Sequence, residues 1–100
     1  MADAPGARPP QFDRLIHEPG RLLAMACLYA VESADFTFLM KQTGLTQGNL
    51  SSHLARLEKG GCIRISKEFR GRRPCTMVSI TEMGRDAFRR YSAAMKKVLV

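Results

Sequence analysis

Tryptophan is absent from this sequence, and tyrosine, histidine and cysteine are scarce, with two, two and three residues. Cys27, Cys62 and Cys75 are odd in number, widely spaced and without a CxxC or CxC pair. That usage fits reduced thiols acting as small apolar side chains better than a disulfide frame, and it offers no clustered thiols for a metal. Long apolar runs are missing too: no stretch approaches the roughly 18 uncharged apolar residues that a membrane-spanning helix needs. The opening MADAPGARPPQFD lacks the basic-then-apolar order of a secretory signal, so a cytoplasmic location is expected. His17 and His53 fall on different segments with no acid at a catalytic spacing from either, and neither an enzyme nor a cofactor is expected.

What the chain does have is positive charge, unevenly spread. The formal net charge is +7, yet residues 1–40 carry three arginines against five acids. Residues 41–90 carry eleven lysines and arginines against four acids, and Lys96 and Lys97 follow. A basic half beside a mildly acidic one points to a surface that meets a polyanion.

One hundred residues leave room for one domain with one modest core. The proline-rich start predicts a flexible leader over residues 1–11, and residues 12–100 form the domain. Phe12 to His17 predicts one helical turn. Pro19 suits the first position of a helix, and the strongly apolar run to Val31 predicts a central, buried one. Ser33 to Asp35 breaks that pattern. Thr37 to Thr43 predicts a short second helix holding Phe38, Leu39 and Met40, closed by Gly44 in a left-handed cap. Thr46 then suits an N-cap for a third helix, so residues 37–59 read as two helices joined by a short turn.

That third helix, TQGNLSSHLARLEK, organises the rest. Leu50, Leu54 and Leu57 make one apolar stripe, which turns Asn49, Ser52, His53, Arg56 and Lys59 to the side or the opposite face. Gln47 lies in the first turn. The outward face is rich in amides, hydroxyls and cations and holds a single acid, Glu58. An ordinary solvated helix mixes acids and bases into i, i+4 pairs; this face carries the groups that read base edges in a major groove. Asn49 and Gln47 suit bidentate pairing with adenine, and Arg56 suits guanine or phosphate. Thr46, Ser51 and Ser52 suit phosphate.

Residues 62–80 read as a two-stranded hairpin. Ile63, Ile65 and Phe69 share its apolar face, which Lys67 interrupts, and Thr76, Val78 and Ile80 line the returning strand. Arg70, Arg72 and Arg73 crowd the turn. No exposed aromatic is expected on the basic surface, which disfavours unpaired bases or RNA as the partner. Thr81 caps a long amphipathic helix over residues 82–99, in which Met83, Ala87, Tyr91, Ala94 and Val98 recur at helical spacing. Its far end has little to cover within one small domain, which predicts a homodimer. Leu15, Leu22, Met25, Tyr91, Met95 and Val98 are the interface candidates. If Cys62 and Cys75 faced each other across the hairpin they could form a thiol switch; buried packing is the simpler expectation.

The stretch from Ala34 to Phe88, ADFTFLMKQTGLTQGNLSSHLARLEKGGCIRISKEFRGRRPCTMVSITEMGRDAF, resembles the winged helix-turn-helix domain of small, single-domain regulators related to the MarR and ArsR families. GLTQGNLSSHLARLEKGG and EFRGRRP together carry the resemblance. It implies a mainly α fold with a small β-hairpin (α+β): a three-helix core, a wing and a long C-terminal dimerisation helix. It also implies a transcriptional regulator that binds double-stranded DNA as a dimer. Gln47, Asn49, Ser52, His53 and Arg56 would lie on its recognition helix, with Arg70, Arg72 and Arg73 on a wing that touches backbone or minor groove; Lys67 is counted with them. NLSSHLARL lacks the cysteine pair of the ArsR metal sensors, so no metal is expected. Nothing in the sequence supports a small-molecule effector: Met25, Tyr29, Tyr91 and Met95, where one would bind, are more simply core. The competing expectation is a winged helix that docks a protein partner, though such modules lose the polar face and wing charge retained here.

Overall fold

The computed structural model describes residues 12–99; the leader expected over residues 1–11 lies outside them. Helix α1, Pro19–Val31, begins where the Glu18 carboxylate accepts from the Arg21 amide at 2.8 Å, with proline at the start of the helix. It buries Ala24, Met25 and Leu28. The expectation of burial on nearly all sides holds for only part of its circumference, because Leu23 and Val31 are 46% and 47% exposed. Ahead of it, Ile16 and His17 donate backbone bonds to the Asp13 carbonyl in the expected turn.

Ser33–Asp35 is a short strand, β1, rather than a mere break. It pairs antiparallel with β3, Arg73–Ile80, with Ala34 opposite Val78. Three residues are too few to show an alternation, so only the partner strand reveals it. The two-stranded hairpin of the sequence reading is therefore a three-stranded sheet in the order β1-β3-β2, with β2 spanning Ile63–Arg70.

Asp35 also caps α2, Phe36–Thr43, by accepting from the Phe38 amide at 2.7 Å. Gly44 ends α2 at φ 71°, the left-handed region where a side chain is strained. Two residues later Thr46 caps α3, Gln47–Lys59. The core gathers Leu39 of α2, Leu50, Leu54 and Leu57 of α3, Val78 of β3, and Met25 and Leu28 of α1. Helix α4, Glu82–Leu99, adds Ala87 and Tyr91. Its first turn is fastened by Thr81, whose hydroxyl accepts from the Gly84 amide and donates to the Gly61 carbonyl.

Two of the six interface candidates are thereby corrected. Met25 and Tyr91 are 0% and 4% exposed within one subunit and belong to its own core. The helical repeat marks a face as apolar without saying which neighbour covers it. Leu15, Leu22 and Met95 are half-buried against the same core, and Val98 is exposed.

Candidate nucleic-acid interface

Helix α3 lies with its leucine stripe down and its polar face out. Leu50, Leu54 and Leu57 are at most 1% exposed, whereas Thr46, Gln47, Asn49, Ser51, Ser52 and Arg56 all stand in solvent. Thr46 holds the first turn through a 3.2 Å bond from the Asn49 amide to its hydroxyl. Gly48, in that turn, has no neighbouring atom within 4 Å of where a Cβ would stand, so packing inside the subunit does not require glycine there. The one acid on this helix is spent elsewhere: Glu58 accepts from the Ile65 amide at 2.9 Å. Strand β2 is an edge of the sheet, and this bond occupies one of its unpaired donors.

His53 departs from the outward placement expected of it. Its side chain is 19% exposed and turns back toward α1, with Nδ1 3.6 Å from a Glu18 oxygen and 3.3 Å from an Arg21 nitrogen. Arg21 is itself held by a 2.6 Å bond from Nε to the Leu15 carbonyl. Gly20 lies directly under the ring, and a Cβ there would collide with the imidazole. The sequence showed Glu18 as a residue before a helix-starting proline; nothing in its spacing tied it to a histidine 35 positions later. The cluster docks the recognition-like helix onto α1.

Glu18 carries a charge signature of that docking. The Arg21 amide, chiefly, and the nearby His53 and Arg21 charges hold its carboxyl below the ordinary value of 4.5, against a smaller opposing effect of burial. A lowered folded value means that the carboxylate stabilises fully above the ordinary value and loses its contribution as pH falls through the folded one. Glu18→Gln keeps an acceptor for the cap but removes the charge. Its urea midpoint should therefore fall less steeply on acidification below pH 4.5 than that of the unaltered protein. Equally steep decline in both would show that the charge contributes nothing.

The hairpin forms the second part of the candidate interface. Arg70 faces Arg73 across a two-residue loop, Gly71-Arg72, with Gly71 at φ 62°. Glycine at the first loop position followed by an ordinary residue suits the tight turns that match strand twist. Lys67, Arg70, Arg72 and Arg73 are exposed. Arg70 is partly engaged, 3.6 Å from the Asp35 carboxylate, while Arg72 and Arg73 make no ion pair among the described residues. Between α3 and the underside of the hairpin runs a groove of about 280 Å³ lined by Phe36, Gln47, Ser51, Leu54, Ile65, Lys67 and Thr76. Phe69 breaks with the reading made from alternation: it is 72% exposed, an aromatic on the basic surface where none was expected.

The cysteines do not face each other. Cys75 sits opposite Glu68 in the hairpin register, and Cys62 precedes β2, its carbonyl accepting from the Thr81 amide. Burial raises the thiol pKa of Cys27, and burial first and then the Asp13 charge raise that of Cys62, which keeps both in the less reactive thiol form.

The winged helix DNA-binding domain family matches residues 21–99. An uncharacterized protein of Methanocaldococcus jannaschii is 38% identical over 71 residues, covering 71% of this chain and 77% of that protein. The structure of a transcriptional regulator homologue from Pyrococcus horikoshii OT3 superposes with a TM-score of 0.82 at 33% identity, over 87% of this chain and 86% of that one. A MarR-family transcriptional regulator from Silicibacter pomeroyi gives a TM-score of 0.67 at 25% identity, over 83% of this chain but 55% of its own.

Proposed function

The chain belongs to the winged helix DNA-binding domain family, and from that premise we propose that it is a transcriptional regulator that binds duplex DNA as a homodimer. In this reading α3 enters the major groove, where Gln47, Asn49 and Arg56 meet base edges. Thr46, Ser51 and Ser52 take phosphate, and Lys67, Arg70, Arg72 and Arg73 meet the backbone or the minor groove. His53, turned toward α1, has the different task of holding the helix at its angle.

The observation that carries the reading is the outward face of α3. Six polar side chains stand in water above three buried leucines, and the helix's one acid is tied to β2. The apolar residues left exposed on α1 and at the end of α4, Leu23, Val31, Val98 and Leu99, supply a surface for a second copy. Two α3 helices related by a two-fold axis would read a near-palindromic site, with half-sites about one helical turn apart. No helix among the described residues is long and apolar enough to cross a membrane.

The test is selection of a binding site from a random duplex library, followed by titration of that site and of scrambled duplex. Two chains should bind per site. Asn49→Ala should lose about 1–3 kcal/mol of preference for the selected site if its amide pairs with adenine, while binding to scrambled duplex barely changes. Equal losses on both would take Asn49 away from the bases. Failure to retain any duplex at low salt would end the reading.

A further inference from the structure

Phe69 is an unusual residue to leave in water. Most exposed large apolar side chains of this protein lie on helices, and Leu99, 75% exposed, stands at the end of α4. Phe69, 72% exposed, instead sits inside a paired strand, directly opposite Pro74. Alternation places it on the face that begins in the core: Ile63 is buried, Ile65 half-buried, Lys67 and Phe69 exposed. The partner strand repeats the gradient, from buried Val78 through half-buried Thr76 to exposed Pro74. The hairpin has outgrown the body of the domain. Its inner face becomes an overhang that continues from the groove lined by Gln47, Ser51, Lys67 and Thr76.

We propose that Phe69, backed by Pro74, is an apolar contact with duplex DNA, packing against deoxyribose along the minor-groove wall while the neighbouring arginines take phosphates. The inference rests on the DNA-binding reading above and adds a component to it. The surroundings of the ring select the partner. Lys67, Arg70, Arg72 and Arg73 are exposed close by in the hairpin, and Glu68, the acid among them, is bonded to Ser66. An apolar protein surface, or a second copy of this hairpin, would bury these cations without counter-charge, which is costly. The sugar–phosphate wall offers apolar deoxyribose faces at the spacing of anionic groups, so ring and cations are satisfied together. Proline opposite the ring has a fixed backbone angle and holds the pair rigid, so little is lost in ordering it.

An apolar contact releases no counterions, and this separates it from the arginines. Binding of a fluorescein-labelled random-sequence duplex, measured by anisotropy at several salt concentrations, reads both affinity and slope. Phe69→Ala should weaken binding about five- to tenfold at every salt concentration, as expected for a partly covered aromatic ring. The slope of log K against log salt should stay unchanged, and Phe69→Leu should recover most of the loss. Phe69→Gln serves as a second truncation if the alanine variant unfolds. Unchanged affinity overturns the proposal, as does a loss accompanied by a shallower slope. A larger loss on single-stranded DNA than on duplex would make the ring a base-stacking platform, and a changed sedimentation coefficient without DNA would make it a contact between copies; either result overturns it. Unaltered protein that fails to bind duplex at low salt overturns the DNA-binding reading and this proposal together. Normal binding by Phe69→Ala and Phe69→Gln overturns this proposal alone.

Discussion

Gly84→Ala should lower the free energy of unfolding by about 3 kcal/mol, at the upper end of what overpacking a tight site costs. Glycine to alanine inside a helix ordinarily gains roughly 1 kcal/mol, so the expected sign is reversed. Gly84 is buried in the first turn of α4, and a Cβ on it would fall on the Cys62 carbonyl, a backbone atom rather than a movable side chain. That carbonyl cannot withdraw freely, because it accepts from the Thr81 amide at 3.0 Å. Thr81 is fixed in turn, its hydroxyl bonded to the Gly61 carbonyl and to the Gly84 amide. Relief of the clash would have to pull α4 away from the start of β2 and break this set of bonds. Urea unfolding at neutral pH measures the cost. A neutral or stabilising result would show that the α4 junction slides without penalty and that the apparent close approach is soft.

The second large effect concerns binding. Arg72→Ala combined with Arg73→Ala should reduce duplex affinity roughly fiftyfold at 0.1 M salt and lower the magnitude of the salt slope by about 2, if each arginine displaces one condensed counterion. Both side chains are exposed at the hairpin tip and neither is held by an acid among the described residues, so their removal should leave folding intact. The loss should be the same on selected and scrambled duplex, because a phosphate contact carries no base identity. An unchanged slope with full affinity would take the wing tip off the DNA. A loss confined to the selected site would instead make these arginines readers of sequence.

Much of the architecture was legible because neighbouring signals agree. The Gly44 cap, the Thr46 cap and the leucine stripe of α3 all act within a few residues, so local chemistry alone specifies two helices and the turn between them. The hairpin announced itself through alternation and the Gly71-Arg72 turn. What escaped was set by tertiary partners. β1 is too short to have a period, and only pairing with β3 makes it a strand. His53 lies at the side of α3, and whether it faced solvent or α1 depended on Gly20 leaving room for its ring. Met25 and Tyr91 carried the apolar pattern equally suited to a core or to a dimer, and the packing of α1 against α4 decided it. Phe69 was misjudged because alternation reports which face a residue occupies, not how far the body of the domain extends beneath it. The roles assigned to the α3 face and the wing are a proposal built on exposure and chemistry.

Asp35 is the last residue of β1, the cap of α2 and the neighbour of Arg70 at 3.6 Å. One carboxylate is thus held in common by the sheet, the start of the helix-turn-helix and the cation at the base of the wing tip. Drawing Arg70 across to a phosphate would leave that carboxylate to the Phe38 amide alone. A phosphate that took Arg70 would thus also change the charge beside the first turn of α2, since wing and helix-turn-helix share this one acid.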